Sequence, residues 1–268
     1  MSNIEERFRA LIPRYPEFQK QVAVITGGAN GIGLGIVLRL AREGMRIVIA
    51  DMDEQALTAV ASALHGQGVD VVPFAGNVSQ PDTIRALFKT IVENFDSVDL
   101  LVNNAADLRR RRLLVEHEAL LDHQLGNNIR GPYLCSYYAA KIMRARGGGN
   151  IIHLSSVGAQ RAHWKGFPYD MTKGAINALT RAMAIDLAEY NIRVNAIGPG
   201  VTYKANVADR PIHPEIIGRI PLQRAGTPED TSALVAFLAS TEASYITGQV
   251  IYIDGGITAQ LSPPGIRL

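Results

Sequence analysis

Short, uniformly apolar runs alternate along the chain with amphipathic stretches. Val22–Thr26, Arg46–Asp51, Val69–Phe74, Leu100–Asn103, Asn150–Ser155, Ile192–Ile197 and Gln249–Asp254 are the apolar runs. Each is short for a helix and lacks a polar face, which predicts buried strands. Between them, Ile32 to Glu43 places Ile36, Val37 and Leu40 on one side, with Gly44 just past its end. Glu54 to Leu64 repeats the helical pattern, and Pro81 opens another carrying Ile84, Leu87, Phe88 and Ile91. The longest helix runs from Tyr169 to about Tyr190: Ile176, Leu179, Met183 and Leu187 form its apolar face, and Ala175, Ala178 and Ala182 line a neighbouring stripe. Apolar strands alternating with one-sided helices predict an α/β fold, a parallel seven-stranded sheet with helices on both faces.

That sheet is expected in a single doubly wound domain over residues 21–256. Residues 1–20 form an N-terminal extension in which Ile4, Phe8, Leu11 and Ile12 suggest a short amphipathic helix ended by Pro13, for packing rather than chemistry. The proline-rich stretch 199–221 follows a strand's carboxyl end, where open sheets bind ligands, and is expected to be a substrate lid. Residues 257–268 make a C-terminal tail.

Composition narrows the class. With 47% apolar and 19% charged residues the chain is globular, and a net charge of +2 gives no pull toward nucleic acid or a membrane surface. Cys135 is the only cysteine, which excludes an internal disulfide and fits a reducing compartment. The uncharged run Gln21–Leu38 is broken by glycines, so it reads as strand, turn and helix rather than a membrane span. Charges through the first residues leave no signal-peptide core, and a cytoplasmic location is expected. The histidines form no H-E-x-x-H, so no metal is expected, and no G-x-S-x-G supports a serine hydrolase.

Thr26 to Gly33 places glycines where a strand gives way to a helix. Such a turn brings backbone N–H groups and a helix N-terminus against a pyrophosphate. An ordinary tight turn would read almost the same; Asp51, ending the next strand, raises the nucleotide reading because its carboxylate can meet an adenosine ribose. Tyr169 and Lys173, four apart on one helix, share a face. A neighbouring ammonium would lower the tyrosine pKa toward that of a usable acid/base; taken in isolation, the pair reads first as a surface contact on a helix.

In this order, the chain resembles the short-chain dehydrogenase/reductase family. The family's motifs are matched by Thr26 to Gly33, Asn103-Asn-Ala-Ala106, Asn128 to Gly131, Ser155-Ser156, Tyr169 to Lys173, Asn195 to Gly200 and Asp254-Gly-Gly256. The resemblance implies a Rossmann-type fold and a catalytic set of Asn128, Ser156, Tyr169 and Lys173. Ser156 is preferred to Ser155 because the family's serine stands thirteen residues before its tyrosine, and Ser155 would point the other way at the strand end. In the family, the serine holds the substrate oxygen and the tyrosine exchanges the carbinol proton. The lysine lowers the tyrosine pKa while binding the nicotinamide ribose, and the asparagine helps keep a proton-relaying water. The resemblance also implies cofactor contacts from Gly27, Asn30, Gly31, Ile32, Gly33, Asp51, Met52, Asn77, Val78, Asn104, Ala105, Tyr169, Lys173, Pro199, Gly200, Val201 and Thr202. Asn77 stands in place of the usual aspartate, Ala106 in place of a glycine, and Lys204 in place of a threonine for which Thr202 could substitute.

The expected activity is therefore NAD-dependent hydride transfer between nicotinamide and a secondary alcohol (a sugar, polyol or hydroxy acid). A 3-oxoacyl or carbonyl reductase and a non-catalytic dinucleotide sensor are the alternatives. Partners are a small-molecule substrate and further copies of the chain, as a homotetramer. Pocket candidates are Arg109, Gln160, His163, Trp164 and Tyr203. The run Arg109 to Arg112 reads first as a solvated loop, and its place after the fourth strand also lets one or two of its arginines meet an acidic substrate.

Overall fold

The computed structural model describes residues 4–115, 118–203 and 212–266. Its first half runs α1 (Ile4–Ala10), β1 (Val22–Thr26), α2 (Gly31–Arg42), β2 (Arg46–Asp51), α3 (Glu54–His65), β3 (Val71–Ala75), α4 (Pro81–Phe95) and β4 (Leu100–Asn103). The second half runs α5 (Glu118–Leu125), α6 (Gly131–Arg146), β5 (Gly149–Leu154), α7 (Tyr169–Leu187), β6 (Ile192–Pro199), α8 (Pro214–Gly218), α9 (Pro228–Ala239) and β7 (Val250–Ile253). The strands form one seven-stranded sheet, ordered β3-β2-β1-β4-β5-β6-β7, with every pairing parallel. Strand order reverses between β1 and β4, which opens a crevice at their carboxyl ends.

One apolar core lies on the face carrying Ile36, Leu40, Leu57 and Val235; the other holds Ile84, Leu87, Cys135, Met143 and Ala184. Every residue of β1 and β4 is buried, as central parallel strands require. β3 and β7 are the edge strands, and β3 departs from the expected pattern. β3 starts at Val71 rather than Val69, alternates in burial and carries Pro73, whose missing N–H an edge tolerates.

Helices α5, α6 and α9 were not expected from periodicity. In α6, tyrosines, alanines and basic residues blur the apolar stripe. α9 is signalled locally instead, by a capping box of Thr227 and Asp230. It packs so closely on α2 that a Cβ at Gly35 would lie 2.5 Å from the Pro228 ring.

The N-terminal segment packs through Phe8 and Phe18, but α1 stops at Ala10 rather than at Pro13, and Ile12, expected on the apolar face, is exposed. Phe8 and Phe18 are buried in the first core, each worth roughly 1.5–3 kcal/mol on transfer from water. Buried Glu43 accepts hydrogen bonds from the amides of Arg14 (2.6 Å) and Tyr15 (2.9 Å) and from Arg39 Nε at 2.7 Å. Among the described residues, no helix is long and apolar enough to cross a membrane, and no cluster of metal-ligating side chains occurs.

Candidate active site

The crevice begins at the turn after β1. Thr26 Oγ1 accepts from the amides of Asn104 and Ala105, both at 3.1 Å, and Asn104 Nδ2 donates to the carbonyls of Thr26 (3.0 Å) and Gly27 (2.8 Å). The turn is thereby stitched to the segment leaving β4, and holding it is the visible work of Asn104 and Ala105. Gly27 adopts φ +65°, and a Cβ on Gly33 would fall 2.0 Å from the Gly27 carbonyl oxygen, so neither position admits a side chain. Gly31, at φ +54°, opens α2, and a Cβ there would meet nothing within 4 Å. No side-chain cap closes that first turn. Open space before uncapped helical N–H groups fits a nucleotide pyrophosphate.

Asp51 ends β2 beside this turn. Its carboxylate accepts from Ala29 N at 2.9 Å and from Asp53 N at 3.1 Å, and among the described residues no Lys or Arg pairs with it. Met52 next to it is exposed. Asn77 Oδ1 accepts from Ser79 N at 2.9 Å, which shapes the turn before α4, and Val78 is buried against Gly131. Pro199 and Gly200 lie at the end of β6, where a Cβ on Gly200 would strike Asp254. Val201 and Thr202 are held by Gly226, through Gly226 N to Val201 O at 2.9 Å and a bridge at Thr202. Lys204 and residues 204–211 of the expected lid lie outside the described residues.

The reactive end is assembled around the first turn of α7. Tyr169 opens that helix, and Lys173 lies one turn on; both are buried. Ser155 donates to Asn177 Oδ1 at 2.6 Å, on the α7 side, whereas Ser156 accepts from Gly158 N at 3.1 Å and interacts with the Tyr169 phenol. Lys173 Nζ donates to the Leu154 carbonyl at 2.6 Å, and burial pushes its pKa down to about 8.

The tyrosine departs from expectation. Burial holds its pKa above the usual value, while Ser156 and the guanidinium of Arg110 pull the other way without overcoming it. Lys173 is not what offsets it: its ammonium is committed to Leu154, 5.7 Å from the centre of the tyrosine ring. Asn128 sits in a π-turn, Gly126–Arg130, that interrupts the run from α5 to α6. Its side chain accepts from Asp107 N at 2.7 Å and donates to Asp107 O (3.0 Å) and Thr172 Oγ1 (3.1 Å). Asn128 therefore ties the loop after β4 to α7.

The run Arg109–Arg112 and His163 were expected near the pocket, but their partners there were not legible. Arg110 stacks over the Tyr169 ring at 4.9 Å. His163 and Asp170 pair at 2.7 Å beside it, and Asp170 also accepts from His163 N at 2.6 Å, fastening the 158–166 loop to α7. Asp107 binds Arg109 and His123; burial raises its pKa, but the hydrogen bonds from Arg109 outweigh this and hold it low. Adjacent acidic and basic residues on loops carry no periodic signal that could have assigned these pairings. Trp164 is largely exposed, and Tyr203 is half-exposed with its amide on Gly226 O.

Comparison with known proteins accounts for this arrangement. Residues 27–258 match a family model described as enoyl-(acyl carrier protein) reductase. A probable short-chain type dehydrogenase/reductase of Bradyrhizobium diazoefficiens is 37% identical over 251 residues, covering 91% of this chain and 89% of that protein. The chain belongs to the short-chain dehydrogenase/reductase family. It is an oxidoreductase with the family's nicotinamide-dinucleotide-binding fold. Another member, the 3-oxoacyl-[acyl-carrier-protein] reductase of Staphylococcus aureus, is 36% identical over 239 residues, 88% of this chain and 97% of its own. The crystal structure of L-sorbose reductase from Gluconobacter frateurii, complexed with NADPH and L-sorbose, superposes with a TM-score of 0.86. Identity to that reductase is 29%, with 91% of this chain and 98% of the other covered.

Proposed function

We propose that this short-chain dehydrogenase/reductase uses NAD to interconvert a secondary alcohol and its carbonyl compound, on a sugar, polyol or hydroxy acid. The observation that carries the reading is Tyr169 in contact with Ser156, one helical turn from buried Lys173. When bound, the nicotinamide accepts a hydride from the carbinol carbon or returns one. The protein's share is to hold the substrate oxygen and move its proton. Ser156 accepts an N–H from Gly158 and meets the Tyr169 phenol, so its O–H can turn from the phenol to a substrate oxygen placed between them. Tyr169 takes the carbinol proton during oxidation and gives it back during reduction. Lys173, with a pKa near 8, can exchange a proton near neutral pH, and in this reading its ammonium also holds the nicotinamide ribose. Asn128 keeps the first turn of α7 in register with the loop after β4.

Asp51 supports NAD over NADP. Its carboxylate can accept the ribose hydroxyls, whereas a 2′-phosphate brings roughly two negative charges to the same place. At ~4 Å and an effective dielectric of ~20, each charge pair costs about 4 kcal/mol before screening. A residual ~2.7 kcal/mol is a hundredfold preference. The NADPH bound to L-sorbose reductase favours a second reading, an NADPH-dependent carbonyl or 3-oxoacyl reductase, which Asp51 opposes.

The exposed face of α7 carries Met171, Ala178, Ala182 and Ile185, which supports assembly as a homotetramer. Residues 199–221 are the substrate lid of a single domain spanning 21–256. Sugars, polyols, hydroxy acids and acyl substrates assayed by NADH absorbance test the activity. Turnover with none of them, alongside no NAD binding, refutes it.

A further inference from the structure

The run Arg109 to Arg112 is not one solvated patch. The amide of Arg111 donates to Phe167 O at 2.7 Å in an isolated antiparallel bridge, which lays the run across the entry to α7. Arg109 turns back to Asp107, with contacts of 2.6, 2.9 and 3.1 Å, and its charge is neutralised there. Arg112 lies over Trp164 at 5.5 Å. Arg110 is left over Tyr169, its guanidinium 4.9 Å from the ring centre, and no carboxylate pairs with it among the described residues.

The other charges near the phenol do not cancel it. Asp170, hydrogen-bonded to His163 at 2.7 Å, is the one negative charge felt by the phenol, and the Lys173 cation offsets it, leaving the Arg110 charge in excess. The mouth of the site is therefore net positive, with a planar fork of N–H donors at its edge. Arg110 also hydrogen-bonds the phenol, and the donors it does not spend there can grip a carboxylate through two parallel hydrogen bonds.

We propose that Arg110 determines substrate specificity by binding a carboxylate carried within one or two carbons of the carbinol, so that the substrate is a hydroxy acid or its oxo-acid partner. The inference rests on the oxidoreductase reading above and selects among its substrate classes. The short span follows from geometry. A carbinol oxygen hydrogen-bonded to Tyr169 lies about 3 Å from the phenol, and the guanidinium already touches that phenol's ring. The carboxylate makes and breaks no bond in the reaction.

Matched pairs of candidate substrates test this. Lactate is compared with propane-1,2-diol, glycerate with glycerol, 3-hydroxybutyrate with butane-1,3-diol, and D-gluconate with D-glucitol. Each pair differs by a carboxylate against a CH2OH or its equivalent. For any pair turned over, the wild-type enzyme is expected to favour the acid by at least about tenfold in kcat/KM, mainly through KM. Arg110→Gln should abolish that preference, Arg110→Lys should keep part of it, and the distant charge change Lys141→Gln should leave it intact. A preference for the diols, or an acid preference that survives in Arg110→Gln, overturns the proposal. If no pair turns over, calorimetry with the same acids and the NADH complex reads the same contrast. Acid binding that Arg110→Gln loses supports the assignment; no acid binding overturns it. Turnover of neutral substrates alone would refute Arg110's role while leaving the oxidoreductase reading standing. Absence of both NAD binding and any turnover would instead refute that underlying reading.

Discussion

Replacing Lys173 with methionine should stabilise the fold while abolishing turnover. The ammonium is buried, and burial lowers its pKa from the ordinary 10.5 to about 8. At ~1.36 kcal/mol per pH unit, charged Lys173 costs the folded state roughly 3 kcal/mol at neutral pH. Its hydrogen bond to Leu154 O, at 2.6 Å, gives back about 1 kcal/mol, so Lys173→Met should gain a net ~2 kcal/mol. For a chain of this size that is a rise of about 4–8 °C in Tm. The sign depends on pH. Between about 8 and the unfolded value near 10.5, the unfolded chain keeps a proton that the folded chain releases. Wild-type stability therefore rises with pH through that window, and the advantage of the variant is full below pH 8 and fades above it. Calorimetric melts without cofactor from pH 7 to 10 would read this directly, since bound ligand stabilises only the form that binds it. A variant that melts below wild type at pH 7, or a gap that ignores pH, would refute the reasoning.

The remaining predictions concern the tyrosine, a buried histidine and the aspartate. Tyr169→Phe should leave NAD binding nearly intact and lower kcat by at least ~10²-fold, measured by steady-state kinetics beside fluorescence binding; near-normal turnover would exclude the phenol as acid/base. His153 is fully buried, and burial, aided by Lys173, lowers its pKa to about 3 from 6.5. The unfolded chain binds that proton first, so stability should fall as pH drops below 6.5, by up to ~1.36 kcal/mol per unit, and His153→Asn should flatten urea midpoints between pH 7 and 5. Asp51→Ala should narrow the gap between NAD and NADP by weakening the first and relieving repulsion of the second. An unchanged ratio would mean that the carboxylate serves only Ala29 and Asp53.

The strands were legible because a parallel sheet buried on both faces leaves unbroken apolar runs such as Val22–Thr26. The glycine turn was equally plain, since Gly27 and Gly33 sit where no side chain fits. Edge strand β3 misled by two residues because its outer face is polar and Pro73 interrupts it. Helix α6 was less legible because tyrosines, Tyr133 and Tyr137, lie on its exposed face beside Lys141, while small Cys135, Ser136 and Ala139 fill much of its buried side. Pairing in the site was the least readable. Arg110 reaches Tyr169 only because Arg111 bridges to Phe167, a contact between two loops that no local pattern encodes. Spacing likewise put Lys173 on the face of Tyr169 but could not reveal that Leu154 O claims its ammonium.

The most direct measurement is kcat/KM of the unmodified protein with NAD and with NADP, on one substrate that it turns over. With Asp51 held against the glycine turn and no cation paired to it among the described residues, NAD should be favoured by at least ~10²-fold. Equal use of the two cofactors, or a preference for NADP, would contradict the account.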